Sequence, residues 1–86
     1  MRIQVKLFAI LRERAGGASD LALELRDGAT VGDAVESLGD KFPELTSFLP
    51  RIAFAVNQSY AKRDVVLNDG DELALIPPVS GGSAAA

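Results

Sequence analysis

The chemistry this chain can offer lies near its end, in Leu73-Ala74-Leu75-Ile76-Pro77-Pro78-Val79-Ser80-Gly81-Gly82. Neither Gly81 nor Gly82 has a Cβ, so a Gly-Gly segment enters a channel too narrow for other side chains. Its carbonyl is open to attack from either face. Pro77 and Pro78 have no N–H to give a ladder, so they stop sheet pairing and hold the backbone extended. At 3.3–3.6 Å per residue, Pro77 to Gly82 reaches roughly 20 Å, long enough to place Gly82 inside a neighbouring protein. The competing reading is a frayed end in which Gly-Gly-Ser-Ala-Ala-Ala is only a linker.

The other residue types exclude more chemistry than they supply. There is no cysteine and no histidine, hence no thiol nucleophile, no imidazole base and no Cys/His zinc site. Asp69, Asp71 and Glu72 bring three carboxylates close together, but their spacing does not match an EF-hand loop. They read as a charged turn, and no metal site is expected. Lys62-Arg63 reads as a solvated pair. Arg12 and Arg14 read as surface residues of a short helix that could meet acidic groups on a partner. The net charge of −3 argues against general nucleic-acid binding, which needs clustered Lys and Arg. The apolar runs are too short to span a bilayer. The start, Met1-Arg2-Ile3-Gln4-Val5-Lys6, reads as a strand rather than a signal peptide, so the expected location is cytoplasmic.

Positioning the tail falls to a single small domain: 86 residues leave no room for a second core, and no disulfide can staple it. Ile3, Val5 and Leu7 alternate with polar positions and predict a first strand. Ala9–Ala15 predicts one or two helical turns ended by Gly16-Gly17. Leu21, Leu23 and Leu25 predict a second strand closed by Asp27-Gly28. Val31, Ala34, Val35, Leu38 and Phe42 form one apolar stripe at helical spacing. Thr30 is its N-cap, Asp33 a weaker relative of the capping box, and Pro43 its stop. Gly32 and Gly39 weaken this helix by about 1 kcal/mol each if interior. Leu45, Phe48 and Leu49 are candidate core plugs. Ile52, Phe54 and Val56 predict a third strand with alanines on its second face, ending at Asn57-Gln58-Ser59. Tyr60-Ala61-Lys62 pairs briefly, and Val65-Val66-Leu67 is a short edge strand or a packed loop. Asn68-Asp69-Gly70-Asp71 turns the chain into the Leu73 strand.

These elements predict an α+β fold, a mixed sheet with one main helix across one face. The first and last strands, the most apolar, are placed side by side at its centre. The domain covers residues 1–78, and residues 79–86 form a flexible tail. Phe8 and Ile76 fall on the outer parity of those neighbouring strands, with Tyr60 just past the Asn57 turn. Clustered, the three would make an exposed apolar patch of the kind that binds a partner; the bland alternative turns one of them inward.

Taken together, Leu7-Phe8-Ala9 with Arg12-Glu13, Ala55-Val56-Asn57-Gln58, Leu67-Asn68-Asp69-Gly70-Asp71-Glu72 and Ile76-Pro77-Pro78-Val79-Ser80-Gly81-Gly82 resemble the sulfur-carrier family of molybdopterin synthase small subunits. The resemblance runs in order from Met1 to Gly82. It implies a ubiquitin-like β-grasp fold and a carrier that is catalytically inert alone and binds no cofactor. It implies that a ubiquitin-activating-type enzyme uses ATP to adenylate the terminal glycine carboxylate, and that a sulfur donor converts the adenylate to a thiocarboxylate. The tail would then enter the large synthase subunit, where sulfur passes to a pterin precursor to build a dithiolene. On that basis Gly82 carries the sulfur and Gly81 keeps the tail narrow. Phe8, Tyr60, Ile76, Pro77, Pro78 and Val79 contact the partner.

One departure bears on this. The family pattern stops at the second glycine, whereas Ser83-Ala84-Ala85-Ala86 follows here, which locks the Gly82 carbonyl in a peptide bond. Either a protease removes the four residues, or they are an addition, or the role has changed. The same motifs accommodate a carrier for thiamine or cysteine synthesis released by proteolysis after Gly82. They also accommodate a ubiquitin-like modifier that forms an isopeptide bond, and a plain interaction domain with an inert tail.

Overall fold

Leu7 and Leu75 lie beside each other in the middle of the sheet, because the first and last strands pair there in parallel. The computed structural model describes residues 1–77. Strand β1 (Arg2–Leu7) is followed by helix α1 (Ile10–Arg14), β2 (Asp20–Glu24) and helix α2 (Val31–Lys41). Two 3-10 turns, Pro43–Leu45 and Leu49–Arg51, lead to β3 (Ala53–Val56), β4 (Ser59–Ala61) and β5 (Glu72–Ile76). The sheet order is β2-β1-β5-β3-β4. Only β1–β5 is parallel, in the register Val5↔Leu73 and Leu7↔Leu75; the other pairs are antiparallel. This is the β-grasp arrangement expected above. Among the described residues, no helix is long and apolar enough to cross a membrane.

The period-2 strands and the stripe of α2 meet in one core. Ile3, Val5, Leu7, Leu23, Leu73 and Leu75 from the sheet face Val31, Ala34, Val35 and Leu38 from α2, all of them buried. Each buried valine, leucine or isoleucine among them contributes about 1.5–3 kcal/mol. Leu45 and Leu49 plug the end of the core as expected. Phe48 is only half-buried, with the Arg14 guanidinium carbon 5.8 Å from its ring centroid. Leu21 and Leu25 also remain half-buried, since β2 is an edge strand and ends at Glu24. Phe42 is the C-cap of α2 rather than a full member of its stripe, and its N–H donates to Leu38 O.

The entry to α2 is better built than the sequence pattern predicts. Thr30 Oγ1 accepts from the Asp33 N–H at 3.2 Å, and Asp33 Oδ2 accepts from the Thr30 N–H at 2.9 Å, a complete reciprocal capping box. An aspartate at this position is held in reach by a further bond from Arg26 Nη2. The Val31 and Gly32 amides donate to Val65 O and Arg63 O, both at 2.9 Å. The helix therefore begins with its first free amides already satisfied. The segment that supplies those carbonyls is a packed loop. Val66 makes one isolated bridge to Thr30, and Leu67 is buried.

Candidate functional site

Strand β5 carries the chain to Pro77, the last described residue, so the tail departs from the centre of the sheet rather than from an edge. Its partners define what surrounds that exit. Because β1 runs parallel to β5, Leu7 and Phe8 lie at the same end. Because β3 is antiparallel, its first residue, Ala53, pairs with Ile76.

Side-chain alternation sorts this end into two faces. Leu7 is 1% exposed and points into the core, whereas Phe8, one residue past β1, is 46% exposed. Extending the β1–β5 register by one step sets Phe8 opposite Ile76. One row further in, Lys6, Ala74, Ala55 and Tyr60 follow each other across four strands on the outer face. Tyr60 is 81% exposed, and Ile76 and Pro77 are half-buried. The structure thus places Phe8, Tyr60 and Ile76 on one face. It interposes Ala53, Ala55 and Ala74 between them, small side chains that keep the floor of the patch low. The sequence showed the alanines of β3 as small outward residues, but only the strand order shows that they lie between the aromatics.

Charge borders this face on the β1–β2 side. Lys6 Nζ sits 3.0 Å from Asp20 Oδ1 and 3.6 Å from Glu72 Oε2. Its hydrogen bond to Asp20 and that carboxylate's charge raise the ammonium pKa above its usual value. Arg2 pairs with Glu24 further along, and this hydrogen bond likewise raises the guanidinium pKa. The outer face is therefore apolar at the Ile76 end of β5 and over β3 and β4, and zwitterionic over β1, β2 and the Glu72 end of β5. Such exposed pairs contribute little stability, but they limit which surface can dock alongside.

Two backbone features shape the rim. Ala9 adopts φ 52, ψ −126, a conformation that favours glycine, and through it the chain leaves β1 and starts α1. Alanine gives no sequence signal for this. Asn57 and Gln58 both have positive φ, 50° and 73°, as a two-residue hairpin turn between β3 and β4 requires. Asn57 Nδ2 donates to Asp71 Oδ1 at 2.9 Å, and Asn57 Oδ1 accepts from the Glu72 N–H at 3.0 Å. Asp71 Oδ2 also accepts from the Asn68 N–H, and Asp69 Oδ1 from the Arg2 N–H. These acids tie loops together, which accounts for the Asn-Gln and Asn-Asp-Gly-Asp motifs in structural terms. Lys62 and Arg63 are exposed, yet Arg63 is more than a solvated charge. Its guanidinium carbon lies 5.6 Å from the Phe54 ring centroid, and its carbonyl caps α2. Arg12 and Arg14 are exposed, as expected. Pro78, Val79, Gly81 and Gly82 lie outside the described residues.

The sequence model of the ThiS family matches residues 5–82, ending on Gly82. A protein of Mycobacterium tuberculosis named molybdopterin synthase sulfur carrier subunit is 38% identical over 82 residues, covering 95% of this chain and 99% of the relative. One of Chlamydomonas reinhardtii with the same name is 42% identical over 84 residues, covering 95% and 100%. Among solved structures, SAMP1 from Haloferax volcanii superposes with a TM-score of 0.87 at 37% identity, covering 95% of this chain and all of that one.

Proposed function

The chain belongs to the ThiS family, and on that premise we propose that it is the sulfur-carrier subunit of a molybdopterin synthase. In this reading it carries sulfur as a thiocarboxylate on Gly82. The observation that carries the proposal is the exit of a Pro-Pro-Val-Ser-Gly-Gly tail from the central strand β5, beside an outer face bearing Phe8, Tyr60 and Ile76. A binding surface at the root of the tail fixes where its tip can go, and a tethered sulfur gains effective concentration at its acceptor.

The chemistry follows from the carboxyl group. A free carboxylate is a poor electrophile, so an ATP-dependent, ubiquitin-activating-type enzyme adenylates Gly82 to provide a good leaving group, and a sulfur donor displaces it. The large synthase subunit then receives the tail and takes the sulfur. Gly81 keeps the tail narrow, and Pro77, Pro78 and Val79 contact the partner. Ser83–Ala86 must first be removed, because the Gly82 carbonyl is otherwise part of a peptide bond. A protease that cuts after Gly82 is therefore a third partner. The ThiS match ends at that same residue.

The test compares the full chain with one stopped after Gly82, each given ATP, an activating enzyme and sulfide. The shortened chain should gain about 16 Da, the replacement of one oxygen by sulfur, and the uncleaved full chain should gain nothing. Equal loading of the intact 86-residue chain would contradict the proposal. The likeness to SAMP1, a small archaeal modifier protein of Haloferax volcanii, favours a second reading as a modifier. It predicts a Gly82 isopeptide on protein lysines when the shortened chain is activated without a sulfur source.

A further inference from the structure

The chain contains two Asp-Gly pairs, Asp27-Gly28 and Asp69-Gly70, and the fold treats them oppositely. An aspartate followed by glycine can rearrange because no side chain shields the glycine nitrogen. That nitrogen attacks Asp Cγ, an N–Cγ bond forms, and the carboxyl oxygen leaves as water to give a succinimide. Water then adds to the α-carbonyl carbon and breaks its bond to nitrogen. The backbone now runs through Cγ as isoaspartate, with a free α-carboxylate. One water is lost and one regained, so neither mass nor oxidation state changes.

At Asp69-Gly70 both reacting groups are held. Asp69 Oδ1 accepts from the Arg2 N–H at 2.8 Å, and the Gly70 N–H donates to Arg2 O at 2.8 Å. Attack would break both bonds at the edge of the central strand β1. At Asp27-Gly28 neither group makes a hydrogen bond to a described residue. The Asp27 side chain is 97% exposed, and among the described residues its ion-pair partner is the Met1 ammonium, 3.7 Å away. No described residue accepts a hydrogen bond from the Gly28 N–H. Gly28 sits at φ 84 with open space where a Cβ would be.

We infer that Asp27 is a spontaneous isoaspartate site that the fold leaves open, while the same fold protects Asp69. The added methylene falls in the turn closed by the Ala29 N–H to Arg26 O bond, directly before the buried Ala29 and the Thr30–Asp33 cap. Isomerised chain would thus enter α2 badly. Its freed α-carboxylate would make it a methyl acceptor for an isoaspartyl-directed methyltransferase that uses S-adenosylmethionine.

The full chain is aged at neutral pH and physiological temperature, folded or in urea, then treated with such a methyltransferase and labelled S-adenosylmethionine. Label is located by peptide mapping. In the folded chain, label should accumulate on the Asp27 peptide and stay at background on the Asp69 peptide. In urea the two peptides should label at similar rates. Asp27→Ser should remove the folded-state signal. Equal labelling of both peptides in the folded chain would overturn the inference. So would labelling of both in urea with neither labelled when folded.

Discussion

Gly39 and Leu49 approach so closely that a Cβ added to Gly39 would lie 3.3 Å from Leu49 Cδ1, with Thr46 Cγ2 also at 3.3 Å. This is the physical reason for a glycine in the buried face of α2: it lets the segment after the helix fold back and seat Leu49 in the core. Alanine would recover about 0.8–1 kcal/mol of helix propensity at the cost of a small shift in two side-chain ends. Gly39→Ala should therefore lie within about 1 kcal/mol of the parent. Gly39→Val overfills the notch and should destabilise by about 1–3 kcal/mol. Urea unfolding of the two variants separates a packing notch from a tolerated helix defect.

Leu38 lies in the same helix, fully buried against the sheet. Leu38→Ala should destabilise by about 2–5 kcal/mol, as deletions of buried leucine do. A change below about 0.5 kcal/mol, the range of surface substitutions, would place Leu38 outside the core.

Acid should act on the entry to α2. The Thr30 amide, the Thr30 hydroxyl and Arg26 hold the Asp33 carboxyl below its ordinary 3.8, with the amide hydrogen bond the largest cause. A carboxylate whose folded pKa is depressed stabilises fully above its unfolded pKa and loses that contribution as pH falls through the folded one. Stability should accordingly drop as pH falls from near 3.8, and Asp33→Asn should flatten that part of the curve. Denaturant midpoints measured across the acid range provide the check.

Ala9 should gain from becoming glycine. Its φ of 52 and ψ of −126 cost an alanine on the order of 1–3 kcal/mol, while glycine adds unfolded-state entropy of about 0.4–1 kcal/mol. Ala9→Gly should therefore raise stability modestly, seen as a higher thermal midpoint. A lower midpoint would mean that Ala9 packing outweighs its backbone strain.

Much of this fold was legible in the sequence because the signals were local and redundant. The alternation around Val5 and Leu73 marked strands, the stripe from Val31 to Leu38 marked the helix, and apolarity alone put β1 beside β5. What escaped depended on distant partners. Arg26 reaches from outside the helix to hold Asp33, and Arg63 lends a carbonyl to Gly32. Neither relation has a periodicity to read. Of the site, Phe8 and Ile76 were legible from parity. The alanine floor of Ala53, Ala55 and Ala74 needed the strand order, and Ala9 gave no signal because its side chain fits anywhere. The Gly81-Gly82 tip lies outside the described residues and rests on motif chemistry alone.

Phe8 provides the sharpest test of the outer face, because its neighbour Leu7 supplies the control. The two are adjacent in sequence, but Leu7 is 1% exposed and Phe8 46%. An aromatic left that exposed contributes little to folding, and aromatic anchors often dominate binding surfaces. Phe8→Ser should therefore leave the thermal midpoint nearly unchanged and weaken association with the proposed large subunit or activating enzyme by about tenfold or more, as loss of an anchor worth at least 1.4 kcal/mol would. Leu7→Ser should unfold the domain, since it sets a hydroxyl in the core beside Leu75. Titration calorimetry on Phe8→Ser, with unfolding curves of both variants, reads all three outcomes. If Phe8→Ser unfolds as Leu7→Ser does, Phe8 belongs to the core and the docking face does not include it.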